Sequence, residues 1–180
     1  MLYMFFANGF EEVEAIAALD VIRRAGIDIK SVGVGSKTVT GSHGITVVCD
    51  VTNDEINSFD GVEGVILPGG MPGTTNLYAD ETVNKAVDYC AENNLLLAAI
   101  CAAPLILGRK NLLNGKEAIC FPGFEDELIG AAISDDYVCT CDNIITARGM
   151  GSAVNFGVAI VAYFKGQDFA AELKSGLQCS

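Results

Sequence analysis

The residues best placed by type and spacing to do chemistry are a cysteine, a glutamate and a pair of glycines. Cys101 ends the apolar run Leu95-Leu96-Leu97-Ala98-Ala99-Ile100 and leads straight into Ala102-Ala103-Pro104. The run reads as a buried strand. The residues after Cys101 read as a helix whose first turn accepts Pro104, where a missing N–H costs nothing. A strand-to-helix turn this tight crowds the backbone and needs small residues two positions either side of its centre, where Ala99 and Ala103 stand. This is the spacing of the G-x-S-x-G nucleophile elbow, with alanines for glycines and Cys for Ser. A helix N-terminus behind the sulfur would favour thiolate and hence nucleophilicity. A thiol in apolar sequence is also what a packing cysteine looks like, and the local residues leave both readings open.

Glu14 falls in the first turn of a helix predicted over Glu11–Ala25 and closed by Gly26. It heads a stripe that continues through Ala18, Val21 and Ala25, all small or apolar. Negative charge at a helix N-terminus accounts for Glu11 and Glu12 by the helix dipole alone, at ~0.3–1 kcal/mol. The same account covers Glu14 unless it faces inward, an odd position for a purely dipolar role. Facing a thiolate, it would be driven to its protonated form and become a hydrogen-bond donor. Gly69-Gly70 follows a third strand-like run, Val62–Leu67. Glycines there let backbone N–H groups approach a substrate oxygen, and with the N–H of Ala102 they could form an oxyanion hole. A plain turn explains them equally simply.

These positions need a scaffold that brings three strand ends together. Strand-like and helix-like segments alternate along the chain, the pattern of an α/β fold with a mainly parallel sheet. Strands are predicted over Leu2–Ala7, Ile27–Val34, Val62–Leu67 and Leu95–Ile100, with shorter ones near Ile119, Val138 and Ile145. Helices are predicted over Glu81–Asn93, Ala102–Leu107 and roughly Ser152–Phe164, with a last turn or two over Phe169–Ser175. Lys37–Asp50 alternates around Gly41 and Gly44 as a small antiparallel excursion. In an open parallel sheet, sites form beyond the carboxyl ends of the strands. Glu14, Gly70 and Cys101 each follow a different one.

Composition narrows the functions. The chain has 180 residues, 51% of them hydrophobic, with 23 acidic against 11 basic side chains and a net charge of −12. That predicts a single domain over 1–180 with a sizeable core. It disfavours nucleic acid and anionic membrane surfaces, which need Lys/Arg clusters. The opening strand lacks a basic flank and no apolar run reaches the ~20 residues of a membrane span, so a cytoplasmic location is expected. Seven cysteines without a CxxC pair predict reduced thiols. Cys139 and Cys141 would share a strand face but make half a zinc site, and the lone His43 does not complete it, so no metal is expected. His43 reads as a surface or loop residue. The first helix is small or apolar on more than one face, through Val13, Ala15, Ile16, Ala17, Ala18, Leu19, Val21, Ile22 and Ala25. The second face predicts a partner subunit in a homodimer.

Three segments, Ala98-Ala99-Ile100-Cys101-Ala102-Ala103-Pro104, Leu67-Pro68-Gly69-Gly70 and Gly9-Phe10-Glu11-Glu12-Val13-Glu14, closely resemble the ThiJ/PfpI superfamily. Within it the chain is most similar to the branch of the Parkinson-disease protein deglycase and its bacterial relative YajL. The resemblance runs through Arg23-Arg24-Ala25-Gly26 to Ala147-Arg148-Gly149-Met150-Gly151, where Met150 replaces the usual Pro. It implies a flavodoxin-like three-layer sandwich, usually homodimeric. A reactive elbow Cys101, a protonated Glu14 and an oxyanion site at Gly70 and Ala102 are also implied. The implied activity is cofactor-free and acts on reactive 2-oxoaldehydes or their protein adducts, as a glyoxalase or deglycase. The alternative is a non-enzymatic redox sensor or chaperone that works through Cys101 oxidation. Many members carry a His where this chain has Phe121, which speaks against a Cys–His protease.

Overall fold

Alternation of side chains within buried strands decides the layering. In β1 (Leu2–Phe6), Leu2, Met4 and Phe6 enter one apolar cluster while Tyr3 and Phe5 enter another on the opposite face of the sheet. The computed structural model, which describes residues 1–179, carries this division through the chain. After β1 come α1 (Glu12–Arg24), β2 (Ile29–Gly33), the short strands β3 (Thr38–Thr40), β4 (Thr46–Val48) and β5 (Val51–Thr52), and then β6 (Gly64–Leu67). Next follow α2 (Gly73–Ala79), α3 (Glu81–Glu92), β7 (Leu96–Ile100) and α4 (Pro104–Arg109). The chain continues with β8 (Glu117–Ala118), β9 (Ala132–Ile133), β10 (Val138–Cys141), β11 (Ile144–Ala147), α5 (Ala153–Lys165) and α6 (Gln167–Gly176).

The central sheet has the order β10-β11-β7-β6-β1-β2-β5. Its strands pair in parallel except β10 with β11. Helices α1, α5 and α6 cover the face that carries Leu2, Met4, Ala98 and Ile100. Helices α2, α3 and α4 cover the face of Tyr3, Phe5, Leu97 and Ala99. This is the expected three-layer α/β sandwich. The antiparallel excursion is the β3–β4 hairpin. Helix α2 goes beyond the expected elements: the loop-like run Pro68–Gly73 ends at its first residue. Among the described residues no helix is long and apolar enough to cross a membrane.

The surplus apolar surface of α1 has two destinations. Gly157 of α5 lets the helices meet: a methyl group on it would lie 2.9 Å from Val21 Cβ and 3.2 Å from Ala18 Cα. Part of the surface predicted to meet a partner is therefore covered by α5 of the same chain. Val13 and Ile16 remain 47% and 40% exposed.

One buried side chain fixes the segment that leads to residue 121. Thr146 of β11 is fully buried, and its Oγ1 accepts the Ile119 N–H at 2.9 Å. Replacing the hydroxyl with a methyl orphans that N–H at a typical cost of about 1–3 kcal/mol. Thr146→Val is expected to lose stability in that range by urea denaturation, and a loss too small to resolve would contradict this account.

Candidate active site

Three strand ends converge at the carboxyl edge of the sheet. β7 delivers Cys101, whose φ of +65° places a non-glycine residue in the left-handed region, the backbone signature of a strained elbow. The elbow is pinned from both sides. The Cys101 N–H donates to the Ala147 carbonyl at 2.8 Å, and the Cys101 carbonyl accepts the Phe121 N–H at 2.8 Å. Helix α4 begins at Pro104 rather than directly behind the cysteine, and a turn over residues 101–103 intervenes.

β1 leads into α1, which starts with Glu11 as its N-cap. The Glu11 carboxylate accepts the Glu14 N–H at 2.7 Å. Glu14 is 1% exposed and faces inward, heading the stripe of Ala18, Val21 and Ala25, all buried. β6 delivers Gly69, whose N–H donates to Glu14 Oε2 at 3.0 Å. Gly69 must lack a side chain. A methyl group there would lie 2.6 Å from Cys101 Cβ and 2.6 Å from Glu14 Oε2. Gly70 follows at φ +89°, and a methyl on it would lie 2.4 Å from the Glu11 nitrogen. The structure therefore brings Glu14, Gly69, Gly70, Cys101 and Ala102 together.

The electrostatics of the pair follow from burial. Desolvation pushes the Glu14 carboxyl up to about 7, assisted by the Glu11 charge and opposed by hydrogen bonding to Cys101 and to the Gly69 N–H. Burial also pushes the Cys101 thiol up, to about 12, and an ionised Glu14 adds to it. Hydrogen bonding from the backbone N–H groups of Ala102 and Gly70 pulls the other way. A helix N-terminus behind the sulfur would lower this thiol; desolvation and Glu14 outweigh it. The two groups are one titrating unit. It releases its first proton near pH 7, and in the singly charged form carboxyl and sulfur compete for the remaining proton.

Glu12 has a different fate. It is 3% exposed, and burial by itself would raise its carboxyl. Hydrogen bonds from the His43 ring, the His43 N–H and the Ile45 N–H instead hold it down to about 2. His43 is an exposed loop residue as expected, but its bond to Glu12 anchors the β3–β4 hairpin to α1. Sequence reasoning missed this. The one available signal was Gly41, where a methyl group would lie 2.4 Å from the Glu12 carboxyl. Among the described residues, the potential metal ligands that gather are Glu11, Glu12 and His43, and the oxygens of Glu12 are already engaged by the hairpin.

Phe121, at the position where resembling proteins often carry His, is 48% exposed. Its ring lies over Gly149, where a methyl group would sit 3.2 Å from Phe121 Cδ2 and 3.9 Å from Glu14 Oε1. Phe121 is therefore a wall beside the reactive pair.

The chain is similar to known proteins over most of its length. Protein DJ-1 homolog B of Arabidopsis thaliana is 35% identical over 175 residues, covering 95% of this chain, which spans 40% of that relative's length. Protein dj-1beta of Drosophila melanogaster is 32% identical over 174 residues, covering 95% of this chain and 92% of the relative. Its crystal structure matches with a TM-score of 0.92, at 30% identity, over 99% of this chain and 98% of that one. A deglycase of Pyrococcus horikoshii is 29% identical over 144 residues, covering 79% of this chain and 86% of the relative. The family model that matches residues 1–163 is the DJ-1/PfpI family, and the chain belongs to it.

Proposed function

We propose that residues 1–180 act as a single domain that converts reactive 2-oxoaldehydes, or their adducts on proteins, into 2-hydroxy acids without a cofactor. The observation that carries this reading is the buried Glu14 carboxyl packed beside Cys101 around Gly69, where one methyl group would lie 2.6 Å from both Glu14 Oε2 and Cys101 Cβ. In the singly charged pair, the Glu14 carboxylate takes the proton of the Cys101 thiol as the sulfur attacks. The thiolate adds to the aldehyde carbon, forming a C–S bond as the carbonyl electron pair moves to oxygen. The Gly70 and Ala102 N–H groups hold that oxyanion. Glu14, near neutrality with a pKa of about 7, gives its proton to that oxygen and, as carboxylate, carries the proton of the aldehyde carbon to the neighbouring keto carbon by way of an enediol, the hydroxyl proton passing to the former keto oxygen. The aldehyde carbon is oxidised as the keto carbon is reduced, so no external oxidant is needed. Water cleaves the resulting thioester, releasing the 2-hydroxy acid and restoring the thiol. The name of the Pyrococcus relative, a deglycase, supports extending this chemistry to glycated proteins.

The assembly is read as a homodimer. Val13, Ile16, Ala17 and Ile45 line an open apolar depression of about 440 Å³ beside the Glu12–His43 contact. Exposed apolar patches of this kind mark association surfaces. Ile16→Lys is expected to halve the mass found by analytical ultracentrifugation. An unchanged dimer, or a monomeric wild type, would count against this surface.

Methylglyoxal consumption by the wild type, Cys101→Ala and Glu14→Gln tests the chemistry. Loss of at least a hundredfold is expected in both variants, the usual range for removing a nucleophile or a general acid–base. Equal rates in all three would refute the reading.

Linkage supplies a second test, independent of substrate. The folded-state pKa of Glu14, about 7, lies above its ordinary 4.5. Its contribution to stability is therefore complete below pH 4.5 and is lost as pH rises through 7. The loss should amount to roughly 3 kcal/mol. Between these limits the wild type is expected to lose stability relative to Glu14→Gln, measured by urea denaturation. Parallel pH profiles would show that Glu14 is not raised.

A further inference from the structure

The proposed reaction leaves one concavity beside the pair unused. A groove of about 340 Å³ is lined by Phe121, Pro122, Tyr137, Arg148, Gly149 and Met150. Its large apolar side chains are open to solvent, with Phe121 at 48%, Tyr137 at 66% and Met150 at 55% exposure. One such residue on a surface is ordinary; several around a single concavity are how small-molecule sites are walled.

The walls are braced. Phe121 is fixed by its N–H bond to the Cys101 carbonyl, and the Arg148 guanidinium lies 5.2 Å from the centre of the Tyr137 ring. The Arg148 N–H also donates to the Tyr137 carbonyl at 3.0 Å. The groove borders the reactive pair: a methyl group on its lining residue Gly149 would lie 3.2 Å from Phe121 Cδ2 and 3.9 Å from Glu14 Oε1. A carbonyl compound at the sulfur would therefore direct its substituent along Phe121 toward Tyr137 and Met150. A phenyl ring carries no proton to donate or accept, so Phe121 offers that substituent apolar contact and nothing else.

We propose that this groove binds the substituent of the substrate and selects 2-oxoaldehydes that carry an aryl or bulky alkyl group over methylglyoxal. The proposal rests on the carbonyl chemistry assigned to Cys101 and Glu14, and its test separates the two. The first arm compares kcat/KM for cyclohexylglyoxal and methylglyoxal in the wild type, Phe121→Ala and Met150→Ala. The second measures binding of acetophenone, which has a ring and a carbonyl but no aldehyde, by ligand-observed NMR. It uses Cys101→Ala with and without Phe121→Ala.

The wild type is expected to prefer the bulky substrate, and the preference should fall about tenfold in Phe121→Ala, as for lost contact in an apolar pocket. Acetophenone affinity should fall severalfold. An unaltered preference, with methylglyoxal still consumed, overturns the groove and leaves the proposed reaction standing. If neither oxoaldehyde is consumed, that reaction fails and acetophenone decides the groove: binding lost with Phe121 supports it, and equal binding overturns it. A change in sedimenting mass in Phe121→Ala, with the preference intact, would make the groove a subunit contact and overturn the proposal.

Discussion

The site depends on burying a carboxylic acid against a thiol with one N–H donor for compensation. Glu14 reaches its position because α1 begins immediately beyond β1 and turns its small-residue stripe inward. It stays there because the Gly69 N–H meets its oxygen at 3.0 Å. Gly69 can approach so closely only without a side chain, since a methyl group would collide with both Cys101 and Glu14. The register of β6 between β1 and β7 sets all three positions at once.

A comparison within α1 shows how much the surroundings decide. Glu12 and Glu14 lie two residues apart on one helix, and both are buried. Glu12 is met by several donors from the hairpin and is held down to about 2, so it remains a fixed anion that anchors a loop. Glu14 has a single N–H and a sulfur for neighbours and is pushed up to about 7. Unequal hydration and hydrogen bonding thus divide one residue type into a structural anion and a proton carrier.

Much of this was legible in the sequence. Strand and helix alternation gave the layers because buried strands and amphipathic helices impose their own periods. The elbow was visible because tight backbone geometry demands Ala99 and Ala103 around Cys101. The inward turn of Glu14 was visible as a stripe of Ala18, Val21 and Ala25. Contacts between residues distant in sequence were not visible. The anchoring of Glu12 requires a hairpin some thirty residues away. The covering of α1 by α5 depends on Gly157. The thiol's direction of shift was misjudged because local sequence shows a helix terminus but not the desolvation that outweighs it. Position 121 showed only a missing His; its ring against Gly149 is a matter of packing.

The central claim is that burial makes Glu14 keep its proton up to about pH 7, so that its carboxylate becomes available near neutrality as the base for a thiol that the same burial pushes high. The pH dependence of Cys101 alkylation by iodoacetamide, followed by mass spectrometry of that cysteine, measures this directly. The account predicts a step in rate centred near pH 7 that disappears in Glu14→Gln, leaving one rise at higher pH. A single rise near the ordinary thiol value of about 8.5, unaffected by Glu14→Gln, would contradict it.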